Sequence, residues 1–109
     1  MWIMTTRGFY SVVEHREDSN KVMVRARCKE DIDALCELIP DAEPFEMQTS
    51  DYAWRIVVAR AEWIEALIKM SEAVDYDNFK NAVDSPKHHD AYINVWADLI
   101  ALDDRGNSW

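Results

Sequence analysis

The first third of the chain has the residue types and spacing of β-strands. Residues 2–14 are rich in β-branched and aromatic side chains and predict one long strand, with a bend or bulge at Gly8. Residues 21–28 alternate with period two, which predicts a half-buried strand. Its outward positions are Lys21, Met23, Arg25 and Arg27. The polar run Asp18-Ser19-Asn20 is a turn signal, so the two strands are predicted to form a hairpin.

At residue 29 the spacing of apolar residues changes to that of a helix. Apolar side chains recur at i, i+3, i+4 and i+7 over residues 29–39, and Pro40 ends this predicted helix. Acidic residues fill its first turn, where the helix dipole favours negative charge. A second helix is predicted over residues 61–74 by an apolar stripe that includes Trp63.

The other segments predict two more strands and two more helices. Residues 44–49 form a weak strand suited to a sheet edge, and residues 52–59 alternate as a half-buried strand. Residues 78–83 predict a short helix. The last helix is predicted over residues 86–102, with Ser85 as its N-cap and proline at its first position.

This order of elements predicts an α+β fold. The economical arrangement is a ferredoxin-like ββαββα fold in permuted chain order, in which the first strand fills the place of the missing last strand. The predicted sheet has four antiparallel strands in the order 1-2-4-3, with additional C-terminal helices. We expect residues 1–102 to form a single α+β domain and residues 103–109 to form a polar tail.

Composition and charge limit the kinds of partner that the protein is expected to bind. The chain has 109 residues, of which 49% are hydrophobic, so a core can form. Its formal net charge is −9, from 12 Lys and Arg against 21 Asp and Glu. Direct binding to nucleic acid is therefore not expected, because that class of protein needs a basic surface.

The acidity is concentrated in residues 29–51, which carry one Lys and eight Asp or Glu. Such a surface suits a basic protein partner, since electrostatic steering speeds association. The sequence therefore predicts a small, acidic, non-enzymatic binding protein that acts through protein-protein contacts. The predicted partner-binding residues are Glu30, Asp31, Asp33 and Glu37. A second copy of the chain is also kept open as a partner, because an exposed edge strand is a natural dimer surface.

An arginine cluster supports an alternative hypothesis. Arg25 and Arg55 lie on strands that are adjacent in the predicted sheet, and their outward faces would bring the guanidinium groups together with that of Arg27. Planar guanidinium groups bind phosphate and carboxylate in a bidentate manner, so this face would sequester a nucleotide or another anionic ligand. The predicted ligand-binding residues are Tyr10, Arg25, Arg27 and Arg55. A solvated face, or arginines paired with acids, is the other interpretation.

Catalysis has weaker support in the sequence. No glycine-rich phosphate loop, nucleophile elbow or metalloprotease signature is present, so a hydrolase of unknown type is only a further alternative. The adjacent His88 and His89 diverge on a helix, so no metal is expected, and no cofactor is implied. Cys28 and Cys36 are too few for a disulfide scaffold. Without a signal peptide or a membrane span, a cytoplasmic protein is expected.

The five tryptophans fall into two groups. Trp54, Trp63 and Trp96 lie on predicted apolar faces, and we expect them in the core. Trp2 and Trp109 lie near the ends of the chain, where either would be able to anchor a partner. The alternatives are packing on the sheet for Trp2 and a place in the polar tail for Trp109.

Three segments in combination resemble a known group of proteins. They are residues 1–13, which contain Gly8-Phe9-Tyr10-Ser11, then Val24-Arg25-Ala26-Arg27, and then Asp75-Tyr76-Asp77-Asn78-Phe79-Lys80. With Trp96, they resemble small uncharacterised proteins from bacteria and their phages or plasmids. The resemblance implies a cytosolic setting and a mobile-element origin, and it carries over no functional residues. For a phage protein, the protein-binding hypothesis becomes an inhibitor of a bacterial defence complex, whose basic nucleic-acid groove the acidic helix would occupy.

Overall fold

The computed structural model describes residues 1–105. They fall into two units, Met1–Asp75 and a second unit that begins at Tyr76. The first unit contains, in chain order, β1 (Trp2–Met4), β2 (Phe9–Glu14), β3 (Lys21–Ala26), α1 (Lys29–Cys36), β4 (Phe45–Glu46), β5 (Trp54–Ala59) and α2 (Arg60–Glu72). The second contains α3 (Phe79–Ala82), α4 (Pro86–Asp98) and a 3-10 helix (Leu99–Leu102). The predicted α+β class is confirmed. The single domain over residues 1–102 stays a prediction, and Trp109 lies outside the described residues.

The first unit contains an open antiparallel sheet of five strands, in the order β1-β2-β3-β5-β4. The prediction of four strands is wrong because residues 2–14 form two strands that pair with each other. Between them the chain reverses at Thr5, whose hydroxyl accepts the N–H groups of Arg7 at 3.1 Å and Gly8 at 3.0 Å. The ferredoxin-like permutation stays a prediction.

A close contact fixes the start of α1 to the start of β2. A Cβ atom on Gly8 would lie 2.6 Å from Cγ of Asp31, so only glycine fits there without a shift of the neighbour. The carboxylate of Asp31 accepts the N–H of Phe9 at 3.0 Å, and its backbone carbonyl accepts the hydroxyl of Tyr10 at 2.8 Å. Asp31 is 2% exposed and therefore acts as an internal hydrogen-bond acceptor for the strand.

The inner face of the sheet, formed by the inward strand positions, packs against α1 and α2. The buried strand residues of this core are Tyr10, Val12, Val22, Val24, Ala26, Ile56 and Val58. The buried residues that meet them are Ile32, Leu35, Ile39, Trp63 and Ala66. Burying each large aliphatic side chain contributes about 1.5–3 kcal/mol relative to leaving it in water, so this layer supplies most of the folding energy of the first unit.

The helix boundaries follow local capping. The α1 helix ends at Cys36, before the predicted end, yet Ile39 in the turn that follows is still buried. The first turn of α2 is closed by Glu62, whose side chain accepts the N–H of Ala59 at 3.0 Å. Ser85 caps α4 as predicted, because its hydroxyl accepts the N–H of His88.

No helix within residues 1–105 has the length and hydrophobicity that a membrane span needs.

In the second unit, aromatic rings join α3 to α4. The rings of Phe79 and Tyr92 stack with centroids 5.6 Å apart. Trp96 was expected in the core, but it is 54% exposed, and Nζ of Lys80 lies 4.1 Å from its ring centroid. The expectation for Trp96 is wrong because the apolar stripe of α4 is only partly covered: Tyr92 is buried one turn earlier, whereas the next turn is open.

Candidate anion-binding site

The outer face of the sheet carries a different chemistry from the inner face. We define it by its outward strand positions, which are Trp2, Met4, Phe9, Ser11, Val13, Lys21, Met23, Arg25, Phe45, Arg55, Val57 and Ala59. None of these strand positions is Asp or Glu, although the chain has 21 such residues. The acidic residues in the described strands, Glu14 and Glu46, take inward positions. The outer face is therefore a cationic and aromatic surface on an acidic protein.

One line of register partners, the central row, crosses all five strands of the described sheet. It consists of Trp2, Ser11, Arg25, Arg55 and Phe45. Neighbouring strands are about 4.8 Å apart, so the row spans roughly 19 Å between the backbones of β1 and β4. Arg25 and Arg55 are directly opposite each other, and like charges in that position are destabilising. An anion held between them would remove that repulsion.

Arg25 is held by one hydroxyl and one aromatic ring. Its Nη2 donates to Oγ of Ser11 at 2.7 Å, and its Cζ lies 4.9 Å from the ring centroid of Tyr52. Cζ of Arg27 lies 4.5 Å from the same centroid, so two guanidinium groups contact one ring. Nε of Arg25 is buried and has no hydrogen-bond partner among the described residues. A buried donor without a partner is costly, so this position of Arg25 is not favoured by its internal hydrogen bonds alone.

Arg55 binds the segment that precedes β5. Its Nε donates to the carbonyl of Tyr52 at 3.0 Å, and its Nη2 donates to Oγ of Ser50 at 2.6 Å. Its Nη1 lies 3.3 Å from Sδ of Met23, a weak acceptor. These contacts orient the guanidinium group over the outer face while leaving its charge without a counter-ion.

Arg25, Arg27 and Arg55 differ in their partners from Arg7, Arg60 and Arg105. In the described part of the chain no carboxylate oxygen lies within 4.0 Å of a guanidinium nitrogen of Arg25, Arg27 or Arg55. By contrast, Arg7 pairs with Glu37 at 3.1 Å, Arg60 with Glu14 at 2.8 Å and Arg105 with Asp103 at 2.6 Å. The interpretation of paired surface charges therefore does not describe the outer face.

The structure brings three of the four predicted ligand-binding residues together and places the fourth elsewhere. Arg25, Arg27 and Arg55 meet around the ring of Tyr52 and the turn before β5. Tyr10 is on the inner face and fully buried, with its hydroxyl on Asp31, so it does not contact the arginines. The binding role of these arginines stays a prediction.

Sequence reasoning missed Tyr52 as the aromatic residue of this cluster. Extending the alternation of the last strand back to residue 52 assigns Tyr52 to the inner face. However, β5 begins only at Trp54, and the turn before it changes the direction of the side chain. The polar run Thr49-Ser50-Asp51 was the signal in the sequence that the strand begins later.

The predicted acidic surface is also divided by the structure. Glu30, Asp33 and Glu37 are exposed. Asp33 pairs with Lys29 at 2.9 Å, and Glu37 pairs with Arg7. Asp31 is buried, because the tight turn before β2 brings the N–H of Phe9 onto its carboxylate. Asp31 is therefore not available for a partner in this fold.

The thiols lack the activation that nucleophilic catalysis requires. Burial, with a smaller contribution from the charge of Asp31, raises the pKa of the Cys28 thiol to about 11. Burial, and then the charge of Asp33, also raises the pKa of Cys36. Reactive cysteines have a lowered pKa, so both thiols are in the protonated, unreactive form at neutral pH.

No protein-family model, curated protein or solved structure matches this chain. The resemblance to bacterial and phage proteins stays a prediction.

Proposed function

We propose that the protein binds a ligand with phosphate or carboxylate groups on the outer face, through Arg25, Arg27 and Arg55. The supporting observation is that three guanidinium groups gather on a face without strand carboxylates, in a chain of net charge −9. Folding alone disfavours this gathering, since like charges opposite each other cost stability. Binding of an oxyanion supplies the missing favourable interaction.

The hydrogen-bonding capacity of the cluster supports the same proposal. A guanidinium group has five N–H donors, and Arg25 donates one of them, to Ser11. Its Nε is buried, so the donors left for an oxyanion are the other N–H groups of its two terminal nitrogens. Arg27 donates from Nη1 to the carbonyl of Asp51 at 3.1 Å and has further N–H groups for an oxyanion. Hydrogen bonds to charged groups contribute about 1.5–3 kcal/mol each, which is enough for several contacts to give a micromolar complex. The hydroxyl of Ser11 keeps Arg25 in place without neutralising it.

The test uses inorganic pyrophosphate as the probe in an NMR titration at constant ionic strength. In the wild type we expect saturable shifts at the amides of β3 and β5 around Arg25 and Arg55. The Arg25→Met, Arg55→Met double variant is expected to lose at least about tenfold in affinity, because each lost charged hydrogen bond is worth about 1.5–3 kcal/mol.

A matched control separates the site from bulk charge. The Arg16→Met, Arg105→Met double variant changes the net charge equally at exposed positions outside the strand segments, and it is expected to bind pyrophosphate as the wild type does. If the Met variant of the cluster does not fold, Arg25→Lys keeps the charge but loses the bidentate geometry. Equal affinity of the wild type, this Lys variant and any folded Met variant would contradict the proposal.

The acidic surface supports a second candidate function, contact with a basic protein partner. Seven of the eight carboxylates in residues 29–51 are exposed, and Asp31 is the buried one. Under this candidate, a phage inhibitor would place α1 and the β4 edge in a nucleic-acid groove of a bacterial defence complex. We also propose the ferredoxin-like permutation as the scaffold. It is compatible with both candidate functions, because the first uses the outer face of the sheet and the second uses α1 and the β4 edge.

The second candidate is tested with a variant that spares the core. The triple variant Glu30→Gln, Asp33→Asn, Glu37→Gln removes three exposed charges. It keeps the hydrogen bond from the N–H of Phe9 to the carboxylate of Asp31. A pull-down from host cells is expected to lose its partner with this variant, most strongly at low salt, because the attraction is screened by ions. A partner retained equally by both proteins would contradict this candidate.

The hydrolase alternative needs an enclosed pair of carboxylates, whereas Asp31 is the only buried carboxylate in residues 1–105.

A further inference from the structure

We infer that the anionic ligand of the outer face is a short one in which two nucleobases flank a phosphodiester, as in a dinucleotide. This inference rests on the proposed function, because the phosphodiester is placed at Arg25 and Arg55. What it adds is a role for the two ends of the central row. Both ends are aromatic: Trp2 is on β1 and Phe45 is on β4.

The two terminal rings are accessible. Trp2 is 75% exposed and Phe45 is 39% exposed, although both belong to side-chain types that folding normally buries. Trp2 meets the ring of Phe9 edge-to-face, with centroids 6.3 Å apart. The ring of Phe9 in turn lies 6.4 Å from that of Tyr52, so aromatic surface continues from β1 to the arginines. Exposed aromatic rings of this kind stack nucleobases in single-stranded nucleic acid complexes.

The order of residues along the central row matches the order of groups in a dinucleotide. From one edge to the other it runs aromatic, hydroxyl, guanidinium, guanidinium, aromatic. A phosphodiester between the two arginines directs one base toward Trp2 and Phe9 and the other toward Phe45. The first side is wider, by one strand spacing of about 4.8 Å, and has the larger aromatic surface. A simple anion would use the central pair and leave both ends without a role.

The charge around the outer face favours a short ligand over a long strand. The exposed carboxylates of residues 29–51 include Glu43, two residues before Phe45, and Glu46, which follows Phe45 on the edge strand β4 at an inward position. A longer polyanion that continued past this edge would meet those negative charges, whereas a dinucleotide ends at the ring. The uniformly basic track that long single strands require is therefore missing on this side.

The experiment compares four probes at one salt concentration: adenylyl adenosine, adenosine monophosphate, ribose 5-phosphate and an adenine octanucleotide. We expect adenylyl adenosine to bind most tightly, ribose 5-phosphate most weakly, and the octanucleotide no tighter than adenylyl adenosine. Trp2→Leu and Phe45→Leu are each expected to weaken the binding of adenylyl adenosine roughly 5- to 150-fold, the range for loss of one stacked base. Neither variant should change the affinity for ribose 5-phosphate.

The matched control is Trp96→Leu, which removes another exposed tryptophan, on α4 in the second unit. It is expected to bind all four probes as the wild type does. Quenching of tryptophan fluorescence by adenylyl adenosine should persist in Trp96→Leu and diminish in Trp2→Leu. Because Trp2 and Phe45 are exposed, both Leu variants are expected to keep the wild-type melting temperature.

The outcomes separate this inference from the proposed function. Equal affinities for adenylyl adenosine and ribose 5-phosphate, unaffected by Trp2→Leu and Phe45→Leu, would overturn the dinucleotide and leave the anion site standing. An octanucleotide that binds more than about tenfold tighter would overturn the assignment to a short ligand. Loss of all binding, including that of pyrophosphate, would overturn the proposed function itself.

Discussion

The two faces of the same sheet obey different physical requirements. The inner face is largely apolar, and its buried side chains are explained by the core that they form against α1 and α2. The outer face is built from the alternate residues of the same strands. It holds facing arginines, which disfavour folding, and exposed aromatic rings of a type that folding normally buries. Function is therefore expected on the outer face, because folding does not explain its composition.

The sharpest test of this difference uses neighbouring residues of β5. Ile56 is fully buried on the inner face, and Val57 is half-buried on the outer face. We expect Ile56→Ala to lower the free energy of unfolding by about 2–5 kcal/mol, because it leaves a cavity in the core. Val57→Ala should cost much less. Urea denaturation measures both, and equal losses would show that the outer face is packed as tightly as the inner one.

A smaller loss of stability is expected from a substitution at Gly8, in the turn before β2. In Gly8→Ala the new Cβ meets Asp31 at 2.6 Å, which we expect to cost about 1–3 kcal/mol, as other overpacking substitutions do. The small gain from reduced flexibility of the unfolded chain does not offset this.

A double-mutant cycle isolates the cause. In an Asp31→Gly background the atoms that meet the new Cβ are absent, so Gly8→Ala should cost less by at least about 0.5 kcal/mol. If the cost of Gly8→Ala is the same in both backgrounds, the contact with Asp31 does not explain why glycine is present.

Much of this fold follows from spacing along the sequence. Period-two alternation in residues 21–28, and the helical spacing that begins at residue 29, predict β3 and α1 because the core selects side chains at those intervals. The alternation cannot report a reversal inside a run of β-formers, and so β1 and β2 were predicted as one strand. The reversal depends on the hydroxyl of Thr5 and the missing side chain of Gly8, which are single-residue effects.

The candidate site was only partly predictable, for a related reason. Arg25 and Arg55 could be placed together because alternation and strand adjacency determine which backbones are neighbours. Tyr52 could not, since its ring reaches the arginines from a turn, where no period applies. Asp31 looked like one surface acid among several, and only the approach of the β1–β2 turn makes it an internal acceptor.

The smallest expected effect comes from a comparison of two tyrosines. Tyr10 was predicted to lie at the arginines, whereas the structure places Tyr52 there. Tyr10→Phe removes the hydrogen bond to the carbonyl of Asp31, so we expect a loss of about 1 kcal/mol in stability and no change in pyrophosphate affinity. Tyr52→Leu removes the ring that both guanidinium groups contact and should weaken pyrophosphate binding. Thermal melts and the pyrophosphate titration measure the two effects. If Tyr10→Phe weakened binding as much as Tyr52→Leu, the two faces would not be independent, and the anion site would depend on the core beneath it.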